Sequence, residues 1–219
     1  MFVARPGYRL LVADYSQIEP RLLAHISQDT RLQKVFKEGR DIYSELSQEF
    51  GISRDTAKTF FLAMNYGAGA KKIAYVTGKE ERIAQEYIRK FYVLYGGISN
   101  LRSKVKKELE TNGFVQSIYG RKRRFPNYKD EENERRREAM CREAFNFLMQ
   151  GASADIIKIA MVRVKDCGLI GVVHDELIME VPDSQATVTA EYVKEKLEDF
   201  ELSIPIKIEV KVCSNWSEK

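Results

Sequence analysis

The chain has 219 residues, 44% of them hydrophobic and 31% charged, with a formal net charge of +4. That is long enough for one large domain or two lobes around a real core, and the composition excludes a disordered or fibrous chain. The mild basic excess fits a phosphate-rich partner and equally fits many soluble enzymes, so clustering of charge matters more than its total. Cys141, Cys167 and Cys213 are odd in number and widely spaced, with no Cys-x-x-Cys pair. This pattern indicates neither a disulfide framework nor a zinc site, and reads as a reducing compartment. Met1 to Tyr8 shows no apolar leader run, and no segment approaches the ~18–20 apolar residues that span a bilayer. The expectation is a soluble, cytoplasmic protein with no membrane contact.

In chain order, residues 7–14 read as a buried strand ending in Asp14, and Ile18, Leu22, Leu23 and Ile26 then recur at helical spacing. Residues 41–74 are helical with a break at Gly51, and Ser53 is placed to N-cap a helix that ends near Tyr66 and Gly67. Two amphipathic helices, 80–95 and 98–111, are separated by Gly96-Gly97. Residues 113–119 predict a short strand, Arg121 to Arg124 a basic turn, and 127–134 a mobile polar loop. A helix over 134–152 and a second over 154–166 meet at Gly151; then come a pair of strands over 169–181, a helix over 185–198 and a closing strand over 204–212. No internal repeat or low-complexity segment interrupts the pattern. Strands at both ends enclosing a helical middle predict an α+β fold, an antiparallel sheet with a helical insertion. The expected divisions are 1–40, 41–112 and 113–219.

Asp14 closes one apolar run and Asp175 sits between two more, Leu169 to Val173 and Leu177 to Val181, so both carboxylates fall at strand ends. A hairpin with Asp175 at its tip, lying beside the strand that ends in Asp14, would bring the two within several ångströms. Mg²⁺ takes hard oxygen ligands, typically one or two carboxylates plus substrate phosphates, and a pair of such ions serves in-line nucleotidyl transfer. Taken singly, each Asp reads as readily as a turn former.

On the 53–66 helix, Arg54, Lys58, Leu62 and Tyr66 advance by about 40° per step and form one stripe, with Ala57, Phe60, Phe61 and Met64 on the adjacent apolar stripe. Two cations near a helix N-terminus suit a triphosphate, with Leu62 and Tyr66 near its sugar and base. An ordinary amphipathic helix with solvated cations is the alternative. Arg142, Asn146 and Gln150 recur at intervals of four on the 134–152 helix. Polar groups there can reach minor-groove acceptors that every Watson–Crick pair presents, and a solvent-facing stripe remains open. Arg121 to Arg124 and Arg135 to Arg137 suit a phosphate backbone or simple solvation.

These residues carry a resemblance. Leu11 to Asp29, Arg54 to Gly69 and Gly171 to Glu180 resemble motifs A, B and C of the family A DNA polymerases, in that order. The likeness extends through Gly39 to Ile42, Tyr119-Gly120-Arg121 and Phe145 to Asp155. The short spacing before motif B and the Tyr-Gly-Ala-Gly that ends it are closest in style to the bacteriophage branch.

The resemblance implies a template-directed DNA polymerase core that adds dNTPs to a primer on template DNA. It implies palm for 1–40 and 113–219, and fingers for 41–112. Asp14 and Asp175 would hold two Mg²⁺ ions, with Mn²⁺ as a substitute, the Tyr15 carbonyl as a further ligand and Glu176 beside the primer terminus. Glu19 would be the steric gate against a ribose 2′-hydroxyl. Gln17, Glu19, Arg54, Lys58, Leu62 and Tyr66 would form the dNTP site. Arg121, Arg142, Asn146, Gln150 and His174 would contact primer–template. His174 alone would read as a packed structural histidine.

Leu62 departs from the family's Phe or Tyr, Pro20 from an aliphatic residue, and Tyr43 from His. The family's thumb, first part of the palm and exonuclease region have no counterpart in this sequence, so the expectation is a core that either acts as a small enzyme by itself or is completed by a second polypeptide supplying thumb and upstream palm. The competing reading is a weak or inactive polymerase-like nucleic-acid-binding module, which would have no need of both Asp residues, Glu19, Arg54 and Lys58. A ribonucleotide-using transferase is disfavoured by Glu19.

Overall fold

A computed structural model describes residues 2–219 as two compact units, one made of the chain up to Arg21 together with Ser153–Lys219, the other of Leu22–Ala152. The first is built on a four-stranded antiparallel sheet. Its central strand β1 (Tyr8–Tyr15) lies between β5 (Glu176–Pro182) and β6 (Ile208–Cys213), and β4 (Leu169–Val173) flanks β5. Leu10, Leu11, Val12 and Ala13 are at most 2% exposed, so β1 is buried on both faces and reads as a continuous apolar run rather than an alternation. Leu10 and Val12 pack with Ile178 and Cys213 on one face, the face on which Asp14 follows by alternation. Helix α9 (Ala186–Glu198) packs on β1 and β6. The strand-to-helix turn after β1 is pinned by Arg21, whose guanidinium donates to the carbonyls of Ser16 and Pro205 at 2.8 and 2.7 Å.

The second unit is helical. It contains α2 (Thr30–Lys37), α3 (Ile42–Phe50), α4 (Arg54–Asn65), α5 (Ala70–Thr77), α6 (Glu81–Leu94) and α7 (Gly96–Asn112). Helices α1 (Ile18–Ser27) and α8 (Glu134–Arg163) run through the boundaries of the two units. Ser53 caps α4 by accepting the Thr56 N–H, and the apolar stripe Ala57, Phe60, Phe61 and Met64 is buried as its spacing predicts. Those rings pack edge-on and tilted against Phe50 and Phe91, with the Phe50 and Phe60 centroids 4.9 Å apart. Asp29 caps α2 through the Leu32 N–H and also accepts the Gly97 N–H at 2.8 Å. A Cβ at Gly97 would stand 2.7 Å from the Asp29 Cα, so the close approach requires glycine.

Four local expectations change. Lys122–Arg124 is not a turn but the strand β3, paired with β2 (Phe114–Gln116); the turn is Ser117 to Gly120, where Gly120 holds φ at 84° and Ser117 N–H reaches the Arg121 carbonyl at 2.8 Å. All three β3 residues are exposed, so no apolar alternation marks the strand. Gly151 is no joint, because α8 continues through it and the ring of Phe147 packs within 3.1 Å of where a Cβ would be. The 127–134 loop is anchored by Tyr128, fully buried, whose hydroxyl lies 3.2 Å from the Cys141 sulfur. Helix α2, for which no element is predicted between the helix through Ile26 and residue 41, buries Leu32, Val35 and Phe36.

Candidate active site

The chain enters the sheet unit's site along β1, where the register sets Asp14 opposite Glu176 on one neighbour and Glu209 on the other. Like charges directly across strands repel, and here Lys219 beside Glu176 and Lys211 beside Glu209 offset part of that repulsion. The turn between β4 and β5 is only His174 and Asp175, and the Tyr15 N–H reaches the Asp175 carbonyl at 3.4 Å. His174 takes φ of 57°, a position where such a two-residue hairpin usually carries glycine. It is exposed, which disposes of the packed structural histidine. Gln17, at the turn from β1 to α1, also holds a positive φ, 55°. Non-glycine residues kept in this region mark sites where backbone strain is retained.

Asp14, Asp175, Glu176 and His174 border a cavity of about 320 Å³, together with Glu209, Lys211 and Lys219. The Asp14 carboxyl is pushed above its ordinary 3.8, first by desolvation, then by repulsion from Asp175 and Glu176, with Lys219 pulling the other way. Glu176 is buried, and its carboxylate accepts from the Trp216 indole at 2.5 Å and from Lys219 at 2.6 Å. Trp216, Lys219 and Glu209 were not foreseen in the sequence. Only Glu209 left a signal there, as an acidic residue inside an apolar closing strand.

Removing the Glu176 carboxylate leaves the indole N–H and Lys219 without their acceptor. Glu176→Ala is expected to cost about 2 kcal/mol of stability, read as a lowered urea midpoint; an unchanged midpoint would show the contacts to be idle.

Among the described residues no cluster of three or more His, Cys, Asp or Glu forms a closed metal cage. Mg²⁺ takes hard oxygen donors, typically one or two carboxylates with substrate phosphates completing its shell, and Asp14 and Asp175 are donors of that type, so the residues fit that ion. The Tyr15 side chain is buried and donates to the Leu197 carbonyl at 3.1 Å, which leaves only its main-chain carbonyl for a ligand role. Glu19 lies half-buried in the first turn of α1, and Pro20 occupies the third helical position, where its missing N–H has no partner to lose.

In the helical unit, the Arg54 guanidinium is bound to Asp41 at 2.9 and 3.3 Å and lies 5.6 Å from the Tyr43 ring, while Lys58 is exposed with no ion pair among the described residues. Tyr43 itself is buried against Phe61. Leu62 is half-buried. Tyr66 is 41% exposed and accepts from the Gln150 amide at 3.3 Å, so α4 and α8 bring two candidate residues together. Gly67 follows with φ of 71°, and a Cβ there would meet the Arg142 Cδ at 2.7 Å. Asn146 has an amide oxygen that is buried without a hydrogen-bond partner. Arg121 is exposed just ahead of β3.

The fold and site define an α+β protein whose antiparallel sheet presents a carboxylate pair at the end of its central strand and on the adjoining hairpin. The chain belongs to DNA polymerase family A, whose model matches residues 1–218. It is 37% identical over 233 residues to the thermostable DNA polymerase I of Thermus filiformis, covering 99% of this chain and 28% of that protein. It is 36% identical over 231 residues to DNA polymerase I of Deinococcus radiodurans, covering 98% of this chain and 24% of that one. The chain therefore spans about a quarter of these relatives' length. Among solved structures, the POL domain of Pol1 from M. smegmatis, in complex with DNA primer-template and dNTP, superimposes with a TM-score of 0.89 at 31% identity, over 98% of this chain and 41% of that one. Among the described residues no helix is long and apolar enough to cross a membrane.

Proposed function

We propose that the chain is the core of a template-directed DNA polymerase, joining dNTPs to a primer 3′-hydroxyl with release of pyrophosphate. The observation that carries this reading is the placement of Asp14 between Glu176 and Glu209 with Asp175 on the adjacent hairpin, a concentration of carboxylates that Lys219 and Lys211 offset in part and that a bound cation would offset further. Asp14, Asp175 and the Tyr15 carbonyl would hold two Mg²⁺ ions, which when bound lower the pKa of the attacking hydroxyl and offset charge on the leaving pyrophosphate.

The protein's own groups do the rest. Glu176, braced by Trp216 and Lys219, is held in place beside the two aspartates. Lys58 and Arg54 bind the triphosphate, Arg54 exchanging Asp41 for phosphate oxygens. Leu62 lacks the aromatic face of the family, so base stacking contributes less to nucleotide binding here. Tyr66 flanks the nascent pair, and Arg142, Asn146, Gln150 and His174 hold primer and template, with Arg121 on the phosphate backbone. Palm roles fall to 1–40 and 113–219 and fingers roles to 41–112, and further polypeptide supplies the grip of a thumb.

Glu19 excludes the ribose 2′-hydroxyl. Glu19→Ala is expected to raise ribonucleotide incorporation relative to dNTPs by about 10²-fold, as loss of a steric and polar exclusion does. Single-nucleotide kinetics with dNTP and rNTP measure it, and an unchanged ratio would remove Glu19 from that role. The competing reading, a binding module without turnover, has no observation of its own in its favour.

A further inference from the structure

Arg102 lies outside every motif that carries the family resemblance, yet it sits where the candidate residues of the helical unit meet. It extends from α7, and one terminal nitrogen donates to the carbonyls of both Met64 and Asn65 at 2.8 Å. These carbonyls lie at the end of α4, where the helix dipole is negative; that of Met64 also accepts the Gly67 N–H at 3.1 Å, and a cation from another helix serves both as a long-range C-cap. The guanidinium carbon also lies 4.1 Å from the centroid of the Phe145 ring on α8 and 5.8 Å from that of Tyr92 on α6.

The position is costly. The Arg102 Nε is buried without a hydrogen-bond partner, and both burial and the nearby Arg142 charge disfavour the cation. The Arg142 stem in turn packs on Gly67, the second residue after α4. Arg102 and Arg142 share a cavity of about 570 Å³ with Gly67, Tyr92, Arg137 and Phe145. Glu138 stands 3.9 Å from the Arg142 guanidinium and offsets part of that charge, but the buried Arg102 has no carboxylate partner of its own among the described residues, which points to a demand other than simple stability. The segment the two arginines hold, Tyr66 to Ala68, contains the tyrosine that meets Gln150.

We propose that Arg102 is a positioning residue for nucleotide selection: by capping α4 and stacking on Phe145 it fixes where Tyr66 stands relative to Gln150. This rests on the polymerase reading above, since selection is measured on dNTPs. A methionine at this position keeps the stem and loses both donors and the planar charge. A lysine keeps the charge but not the fork or the stack.

The test has two readouts. Hydrogen exchange at the amides of Tyr66, Gly67 and Ala68 should quicken about tenfold in Arg102→Met and less in Arg102→Lys, because the helix end loses its cap. Discrimination, the ratio of kcat/KM for correct over mismatched dNTP, should fall about tenfold in Arg102→Met, and by less than about twofold when the same change is made in Tyr66→Ala. That ratio is insensitive to the folded fraction. Unchanged exchange at 66–68, a lowered Tm with unchanged discrimination, or full additivity with Tyr66→Ala would each overturn the inference. Absence of any incorporation by the wild type would remove the polymerase reading, while exchange, which needs no turnover, would still decide whether Arg102 holds the segment.

Discussion

Asp14→Asn and Asp175→Asn are each expected to reduce Mg²⁺-dependent nucleotide incorporation by about 10³-fold or more, since a carboxylate that anchors a catalytic ion underwrites several kcal/mol of transition-state stabilisation. The same Asp14→Asn change should make the metal-free protein slightly more stable. Asp14 faces Glu176 and Glu209 across the sheet, and its carboxyl is held above its ordinary value of 3.8. A carboxyl whose folded pKa is raised contributes stability that is fully present below the unfolded pKa and is lost as pH rises through the folded one. At pH 7 the wild type therefore carries a penalty that the amide lacks, below about 1 kcal/mol because the group reaches solvent. At pH 3 the two should melt together. Mg²⁺ should raise the Tm of the wild type and leave that of Asp14→Asn unmoved. A wild type that gains nothing from Mg²⁺, or an Asp14→Asn protein that retains incorporation, would contradict the assignment.

The second large effect concerns the two cations on α4. Lys58→Ala should lower kcat/KM for dNTP by about 10²-fold and Arg54→Ala by only about tenfold, within the span expected for charge-assisted hydrogen bonds. The difference follows from their surroundings. Asp41 accepts two hydrogen bonds from Arg54 and raises the guanidinium pKa, so phosphate must compete with a carboxylate already in place. Lys58 has no such competitor among the described residues. Asp41→Asn keeps an N-cap for α3 while weakening the hold on Arg54, and should tighten dNTP binding modestly. Steady-state kinetics on the three variants test this ordering; a larger loss from Arg54→Ala than from Lys58→Ala would reverse it.

The sheet and its carboxylates were legible because both depend on short-range pattern. The apolar run before Asp14 and the paired runs around His174-Asp175 leave only a hairpin beside a buried strand, and β1, β4 and β5 fall where those runs are. The stripe of Ala57, Phe60, Phe61 and Met64 was legible for the same reason. What escaped depends on contacts distant in sequence. Nothing local marks Arg102 as the cap of a helix 38 residues away, nor Trp216 and Lys219 as partners of Glu176. The strand of β3 escaped because its three residues are all exposed cations, and pairing there is imposed by the Gly120 turn. Gly151 misled because a glycine inside a long, packed helix costs only about 1 kcal/mol, which its surroundings absorb.

Primer extension tests the central claim most directly: the intact chain, with the polypeptide that its relatives carry beyond it supplied in parallel, is given primer-template, dNTPs and Mg²⁺, with a chelated control. Template-directed incorporation that requires the divalent ion and disappears in Asp175→Asn is the predicted result. Duplex binding of undiminished strength with no metal-dependent incorporation, in either arrangement, would contradict it and identify the chain as a binding module.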